Sequence, residues 1–222
     1  MLLAAGRGER LRPLTDGVAK AAVVVGDRPL GAYGLAKLSE LGAPPAVNLS
    51  WLAEATRAAL EPYAPPGTVW LVESPEPYGT AGTLAALLPR LAPTFVTLNA
   101  DVLTDLSPDE LLATHQRVGA AATVAVRQVN SAADLAVSGD RATRFIDRRA
   151  EPGAPGFAFI GMAAFERDGV APLLEPGKIA GIGEAILRPL AQSGELAVHL
   201  HKGDALDVGT PERLAEARRI LG

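Results

Sequence analysis

Short runs of apolar and β-branched residues alternate with longer amphipathic segments through the first 130 positions of the chain. Each run is bounded by turn residues, which is the pattern of a buried strand. The pattern predicts strands at 21–25, 45–49, 68–73, 94–100 and 121–129. It predicts helices at 29–42, 50–63, 79–92 and 107–119. Alternating strands and helices indicate an α/β, Rossmann-like fold, in which helices flank a mostly parallel sheet.

Capping residues mark the ends of several predicted helices. Gly42 is a plausible cap for the end of the first helix, while Ser50 and Ser107 are placed to begin the second and the fourth. Thr210 precedes Pro211 near the end of the chain, a combination typical of a helix start. We therefore expect the chain to close with a helix that begins at Thr210.

The spacing of the apolar runs changes after about residue 130. Shorter strands are predicted at 134–138, 142–147 and 156–165, followed by a helix at 181–193 and strands at 195–201 and 205–208. Because these strands are joined by tight turns, we expect a small antiparallel addition in the second half. The chain shows no internal repeat and no Gly/Ser-rich linker, so we expect a single domain over 1–222. Because its 222 residues leave no room for one, we expect no additional β-helix domain.

The composition supports a folded domain and excludes several classes of protein. Hydrophobic residues make up 48% of the chain, which is enough for a sizeable core. The net charge is -4 and no basic block is present, which argues against a nucleic-acid partner. There is no cysteine for thiol chemistry, no signal-peptide pattern and no apolar run near the roughly 18 residues of a membrane span. We expect a cytoplasmic protein with no membrane partner.

The chain opens with the stretch MLLAAGRGERLRPLT, in which glycines and arginines directly follow a short apolar run. An ordinary turn whose arginines are solvated is one interpretation of this stretch. The other is a loop whose backbone amides and guanidinium groups hold phosphate. The composition of the loop leaves both interpretations open.

Two aspartates follow apolar strands far from this loop in sequence. Asp101 ends the run FVTLNAD, and Asp207 ends the run ALD before a Gly-Thr-Pro turn. Either aspartate alone could simply bond to turn amides, but carboxylates at the ends of parallel strands face the ligand crevice of such folds. Two carboxylates with phosphate and water are the ligands that Mg²⁺ prefers, so a magnesium site is predicted. Lys20 lies between apolar residues, which is unusual for a solvated lysine.

Four sequence blocks resemble the sugar-1-phosphate nucleotidylyltransferases in their family order. LAAGRGERLRPLT resembles the opening signature, YGTAGTLAAL the helix start, LNADVLTD the strand end, and LDVGTPERLAEA the carboxyl-terminal segment. The resemblance covers the chain from end to end. It is nearest to N-acetylmuramate-1-phosphate uridylyltransferases and mannose-1-phosphate guanylyltransferases. It implies Mg²⁺-dependent transfer from a nucleoside triphosphate to a sugar 1-phosphate, with UTP or GTP and a hexose 1-phosphate favoured.

The resemblance also implies roles for individual residues. The implied catalytic residues are Arg10, Lys20, Asp101 and Asp207, of which Asp101 and Asp207 would hold the metal. The implied nucleotide-binding residues are Ala4, Ala5, Gly6, Gly8, Glu9, Arg10, Gly79, Thr80 and Gly82. The residues implied to contact the sugar phosphate are Lys20, Asn99 and Gly161. Residues 1–130 would form the nucleotide-binding half, and 131–222 would bind the sugar and complete the metal site.

Departures from the family pattern keep a second function open. Lys20 lies in VAKAA where relatives have Pro-Lys-Pro, and IDRRAEPGAPG stands where relatives have Glu-Lys-Pro. Arg148 or Arg149 is available to replace the missing lysine. The alternative is a catalytically impaired relative that senses a nucleotide or nucleotide sugar.

Three other site types fit the sequence less well. A dinucleotide-binding turn would need a third glycine where Leu11 stands. A metal-dependent glycosyltransferase would need an Asp-x-Asp, whereas Asp101 and Asp105 are four apart. His199 and His201 alternate on one predicted strand without an evident third metal ligand, so we interpret them as surface residues.

Overall fold

The computed structural model describes all 222 residues and divides the chain into two compact units. The first unit contains Met1–Pro77, Thr97–Pro108 and Asp204–Gly222. The second contains Tyr78–Val96 and Asp109–Gly203. The end of the chain thus belongs to the same unit as its beginning.

The two units contain thirteen strands and seven α-helices. The strands are β1 (Leu2–Leu3), β2 (Val24–Val25), β3 (Arg28–Pro29), β4 (Ala46–Leu49), β5 (Val69–Val72), β6 (Thr94–Asn99), β7 (Val102–Thr104), β8 (Ala122–Val129), β9 (Leu135–Ser138), β10 (Arg141–Phe145), β11 (Gly156–Glu166), β12 (Leu196–Leu200) and β13 (Ala205–Asp207). The helices are α1 (Leu30–Ser39), α2 (Ala53–Leu60), α3 (Gly79–Leu87), α4 (Pro108–Val118), α5 (Arg167–Val170), α6 (Arg188–Ser193) and α7 (Pro211–Leu221). None of the helices is long and apolar enough to cross a membrane.

The first unit is built on parallel strands in the order β5, β4, β1 and β6. Leu2 of β1 pairs with Val47 on one side and with Leu98 on the other, and all three side chains are buried. Because β1 has neighbours on both sides, the loop that follows it leaves from the middle of the parallel strands. Parallel strands place such loops at one common edge, where ligands bind in this class of fold.

A second pairing ties the end of the chain to the segment after β6. β7 and β13 pair antiparallel, with Asp207 opposite Val102. Val208 N–H also donates to the carbonyl of Asp101 at 2.8 Å. An apolar cluster then packs α7 against the opening loop and α1 and consists of Leu11, Val23, Val25, Leu30, Val208, Leu214 and Ala217. This packing fixes the position of Asp207 relative to the loop.

The second unit has a mixed sheet with its own core. β11 pairs antiparallel with β8 and β9, β10 pairs antiparallel with β9 and β12, and β12 pairs parallel with β8. Buried His115 of α4 bonds to Thr123 at 2.8 Å and to Glu166 at 3.1 Å, which joins the helix to two strands. The antiparallel pairing of β9, β10 and β11 confirms the small antiparallel addition predicted for the second half.

The α/β fold with a mostly parallel sheet flanked by helices is also confirmed, but three local predictions were wrong. Helix α1 ends at Ser39 with Glu40, and not Gly42, as its cap. Residues 21–25 are not one strand: a 3-10 turn over Lys20–Ala22 precedes the two residues of β2. Ala21, Val23 and Val25 are buried while Val24 is 53% exposed, so the turn and hairpin reproduce the period-two pattern of a strand. Helix α2 begins at Ala53 rather than after Ser50, because Leu52 turns the chain with a φ of 50°.

Candidate active site

The glycine-rich loop is held at both ends by hydrogen bonds within the first unit. At its start, Ala4 N–H donates to Asn48 Oδ1 at 2.8 Å, and Ala100 N–H donates to the Leu3 carbonyl at 3.0 Å. At its far end, the carbonyl of Gly8 accepts from Leu11 N–H and from Thr15 Oγ1, both at 2.8 Å. The loop is therefore a defined structure rather than a free surface turn.

The two glycines of the loop have different reasons to be glycine. Gly8 adopts a φ of +73°, and a side chain there would also press on Lys20 and Thr15 at 3.0 Å. The protein's own backbone thus accounts for Gly8. At Gly6 the φ is not left-handed and an added Cβ would meet nothing within 4 Å, so packing within the chain does not account for this glycine. Close approach of a ligand to Gly6, and to its neighbour Ala5, stays a prediction.

Lys20 and both predicted metal ligands come together beside this loop. Lys20 is 8% exposed, its ammonium forms an ion pair with Asp101 Oδ2, and it lies 3.9 Å from Asp207 Oδ1. Lys20 and Asp101 are 81 positions apart in sequence. The side chains of Asp101 and Asp207 are 25% and 63% exposed, so both carboxylates can still be reached from solvent.

Arg10 brings a second cation to the same cluster. It lies in the 3-10 turn Glu9–Leu11, whose first residue, Glu9, is exposed. A Cβ added at Gly209 would lie 2.5 Å from Arg10 Nη2 and 2.7 Å from Asp207 Oδ1. The guanidinium group and the carboxylate therefore both lie against Gly209. Two cations and two carboxylates from three distant stretches of sequence form one charged site.

This donor set fits a hard divalent cation. Asp101 and Asp207 both approach the ammonium group of Lys20, and carboxylate oxygens together with phosphate and water oxygens are the ligands that Mg²⁺ prefers. The structure contains no group of three or more His, Asp or Glu side chains arranged to hold a metal. A metal at Asp101 and Asp207 would consequently depend on ligands from outside the chain.

The packing of Arg10 and Asp207 against Gly209 leads to a testable prediction. Its φ lies outside the left-handed region, so Gly209→Ala should leave the free energy of unfolding unchanged or raise it by about 0.5 kcal/mol. The new methyl group would displace the ends of Arg10 and Asp207, and we expect the transfer activity that the family resemblance implies to fall about 10-fold. Gly17→Ala is the matched control, since its Cβ would meet nothing within 4 Å. Equal activity in the two variants would contradict this role of Gly209.

Four predicted site residues belong to the second unit. The amino-terminal end of α3 is covered by the segment Lys178–Ile182: Ala81 N–H donates to the Ala180 carbonyl at 2.9 Å, and Ile182 N–H donates to Thr80 Oγ1 at 2.7 Å. A Cβ at Gly79 would collide with the Ala180 carbonyl, and one at Gly82 would lie 2.7 Å from the Lys178 carbonyl.

Close packing of this segment therefore explains both glycines of α3 without a ligand. Gly161 lies where the β11–β8 register shifts between Phe159 and Ala163. Asn99 belongs to the first unit, at the end of β6, where it pairs with Leu3. Ligand contacts of Gly79, Thr80, Gly82, Gly161 and Asn99 stay predictions.

The remaining charged and histidine residues have partners of their own. Arg148 donates to Asp134 Oδ2 at 2.5 Å, and Arg149 N–H donates to Asp147 Oδ1 at 2.8 Å. His199 is bonded to Thr114 Oγ1 at 2.8 Å, and burial, reinforced by His201, lowers its pKa below the usual value. His199 is thus a hydrogen-bonding residue of the second unit.

The sequence analysis missed a buried polar pair behind the loop. Asn48 and Glu73 are 3% and 2% exposed, and Asn48 Nδ2 donates to Glu73 Oε1 at 2.7 Å. Arg7 also has a partner, because its guanidinium lies 5.4 Å from the ring centroid of Trp51. The available signal was a polar residue inside an otherwise apolar strand, AVNL, and a glutamate that closes the next strand, VWLVE.

Comparisons with known proteins cover the whole chain. Residues 1–221 match the profile of a family described as Nucleotidyl transferase. An N-acetylmuramate alpha-1-phosphate uridylyltransferase from Neisseria meningitidis serogroup B is 33% identical over 232 residues, which cover 100% of this chain and 97% of that protein. A probable mannose-1-phosphate guanylyltransferase 1 from Oryza sativa subsp. japonica is 29% identical over 67% of this chain, but over only 44% of its own length.

Solved structures support the fold. HddC from Yersinia pseudotuberculosis superimposes with a TM-score of 0.81 at 19% identity, covering 100% of this chain and 98% of HddC. The structure of HddC complexed with GMP-PN has a TM-score of 0.80. At this level of identity the likeness establishes the fold alone.

Proposed function

The chain belongs to the nucleotidyl transferase family, and we propose that it transfers a nucleotidyl group from a nucleoside triphosphate to a sugar 1-phosphate. The observation that carries this proposal is the cluster of Lys20, Asp101 and Asp207 beside a backbone loop of the phosphate-binding type. Arg10, at Gly209, adds a cation that can form charge-assisted bonds to phosphate. The whole-length uridylyltransferase relative supports the same reaction class.

The proposed reaction requires alignment of the two substrates and neutralisation of their phosphate charge, and it does not require a strong base. An oxygen of the sugar phosphate attacks the α-phosphorus, the bond from that phosphorus to the bridging oxygen breaks, and pyrophosphate leaves with the electron pair. The attacking oxygen is already anionic, so no residue has to remove a proton from it. Catalysis then depends on holding two anions in line and offsetting the charge at phosphorus. The site contains the cations this needs.

Each part of the site has a proposed role. The amides between Ala4 and Gly8 bind the triphosphate, and Arg10 pairs with its phosphates. Lys20 lies deepest in the cluster and neutralises charge where the two phosphate groups meet. Asp101 and Asp207 would hold Mg²⁺, which when bound would neutralise phosphate oxygens and orient them. Residues 1–130 form the nucleotide-binding half and 131–222 the half that binds the sugar and supplies Asp207.

We propose UTP or GTP as the nucleotide and a hexose 1-phosphate as the acceptor. The named uridylyltransferase matches over almost its whole length, which favours UTP, while the guanylyltransferase relative keeps GTP among the candidates. Because the reaction consumes a nucleoside triphosphate, we also propose that the protein acts in the cytoplasm.

A substrate panel tests this function. Pyrophosphate release would be followed with each of the four common nucleoside triphosphates against several hexose 1-phosphates, including N-acetylmuramate 1-phosphate, with and without Mg²⁺. We expect one pair to exceed the others by at least about 10-fold, because pocket contacts of only about 1.4 kcal/mol are enough for that ratio. Nucleotide binding with no turnover for any pair would contradict the proposal and favour a noncatalytic sensor.

A further inference from the structure

The glycine-rich loop starts from a strand of only two residues. β1 consists of Leu2 and Leu3, and the first loop amide, that of Ala4, donates to the side chain of Asn48 at 2.8 Å. Ala4 is 5% exposed, so its N–H needs a partner within the protein. A side chain of β4 thus continues the pairing of β1 by one more residue, into the loop itself.

A buried carboxylate determines how Asn48 presents its amide. Asn48 Nδ2 donates to Glu73 Oε1 at 2.7 Å, and Glu73 is positioned at the end of β5 by its own N–H bond to the Leu49 carbonyl at 2.7 Å. Because Glu73 Oε1 accepts this hydrogen bond from the NH₂ group of Asn48, the amide oxygen of Asn48 is turned toward the N–H of Ala4.

We propose that Asn48 and Glu73 are positioning residues that hold the first peptide of the loop in its phosphate-binding conformation. This inference rests on the proposed function, because it concerns how the loop binds a triphosphate. Neither side chain is required to contact the substrate. Asn48 acts on Ala4, Glu73 acts through Asn48, and the amides that follow Ala4 are left at a fixed place and angle.

The burial of this pair supports a role beyond sheet packing. Asn48 and Glu73 are both almost fully buried, and removing polar groups from water costs free energy that their mutual hydrogen bonds only offset. Apolar side chains of similar volume would serve the packing of β4 and β5 equally well. They would leave the N–H of Ala4 without its acceptor, at the point where the short β1 has ended.

The first test compares Asn48→Ala with Thr56→Val. Thr56 is 1% exposed and bonds to the Leu52 carbonyl at 2.8 Å, so its replacement also deletes a buried hydrogen bond in the first unit, away from Ala4. We expect Asn48→Ala to weaken binding of a non-hydrolysable nucleoside triphosphate about 10-fold and to raise KM with kcat changed by less than about twofold. Hydrogen exchange at the Ala4 amide should accelerate at least about 10-fold, whereas Thr56→Val should change none of these.

The second test uses the fact that Glu73 is proposed to act on Ala4 only through Asn48. Glu73→Leu should weaken nucleotide binding by itself, but in the double variant with Asn48→Ala it should add nothing to the loss from Asn48→Ala. If the two residues acted independently, the losses of binding free energy in the two single variants would instead add in the double variant. Glu73→Gln keeps an acceptor oxygen and the same volume, so it should fold as the wild type does and recover most of the affinity that Glu73→Leu loses.

The outcomes separate this inference from the proposed function. Faster exchange at Ala4, the loss of nucleotide affinity and the non-additive double variant would together support it. Unchanged nucleotide affinity in both Asn48→Ala and Glu73→Leu, or additive losses, would overturn it while leaving the proposed function intact. A wild-type protein that binds none of the nucleoside triphosphates would refute the proposed function and this inference with it.

Discussion

Asp101→Asn is expected to lower turnover by about 10²- to 10³-fold with the fold intact, and Asp207→Asn by a similar factor. Each change removes one anionic oxygen ligand from the proposed metal site, and loss of several kcal/mol of transition-state stabilisation gives a factor of this size. The amide has nearly the same volume as the carboxylate, so packing is preserved. Turnover would be measured with the best substrate pair from the panel.

Stability should distinguish the two aspartates. Asp101 is the direct ion-pair partner of Lys20, which is 8% exposed, so Asp101→Asn should lower the free energy of unfolding by about 1–2 kcal/mol. Asp207 is more exposed and lies 3.9 Å from the same ammonium group, so its replacement should cost less. Asp204→Asn, three residues before Asp207, is the matched control and should keep both activity and stability. Wild-type turnover in Asp101→Asn or Asp207→Asn would remove that residue from the metal site.

Lys20→Met is expected to act in opposite directions on turnover and on metal binding. Turnover should fall by about 10²-fold or more, since the variant loses the buried cation of the proposed phosphate site. In the absence of nucleotide, however, the ammonium of Lys20 pairs with Asp101 and lies near Asp207, where it repels an incoming divalent cation. Removing it should tighten Mn²⁺ binding about 10-fold, as measured by electron paramagnetic resonance.

The opposite signs make the Lys20 prediction specific. A variant that merely disturbed the fold would lose turnover and metal affinity together. Lys37→Met serves as the control, because Lys37 of α1 pairs at 3.1 Å with Glu40, just after the helix, and has no bond to the charged cluster. Weaker Mn²⁺ binding in Lys20→Met than in the wild type would show that Lys20 supports the metal site instead of competing with the metal.

Much of the architecture could be predicted because local patterns are sufficient for it. Apolar runs with turn residues at their ends located β4, β5, β6 and β8 to within one residue at every boundary, since strand burial depends on neighbouring positions. Thr210 was predicted to cap the last helix, and its side chain does accept from the N–H of Arg213. The stretch 21–25 misled the same reasoning, because a turn followed by a hairpin buries alternate residues just as a strand does.

Local patterns along the chain were enough to identify the candidate residues: a glycine-rich loop, a lysine among apolar residues and two aspartates at strand ends. The three-dimensional arrangement was needed to show that Lys20 lies between Asp101 and Asp207, and that Asn48 and Glu73 hold the start of the loop. Periodicity reports which face of an element is buried, but a hydrogen bond or an ion pair is formed between particular atoms. Which atoms meet depends on strand order and register, and these bring together residues that no local pattern connects.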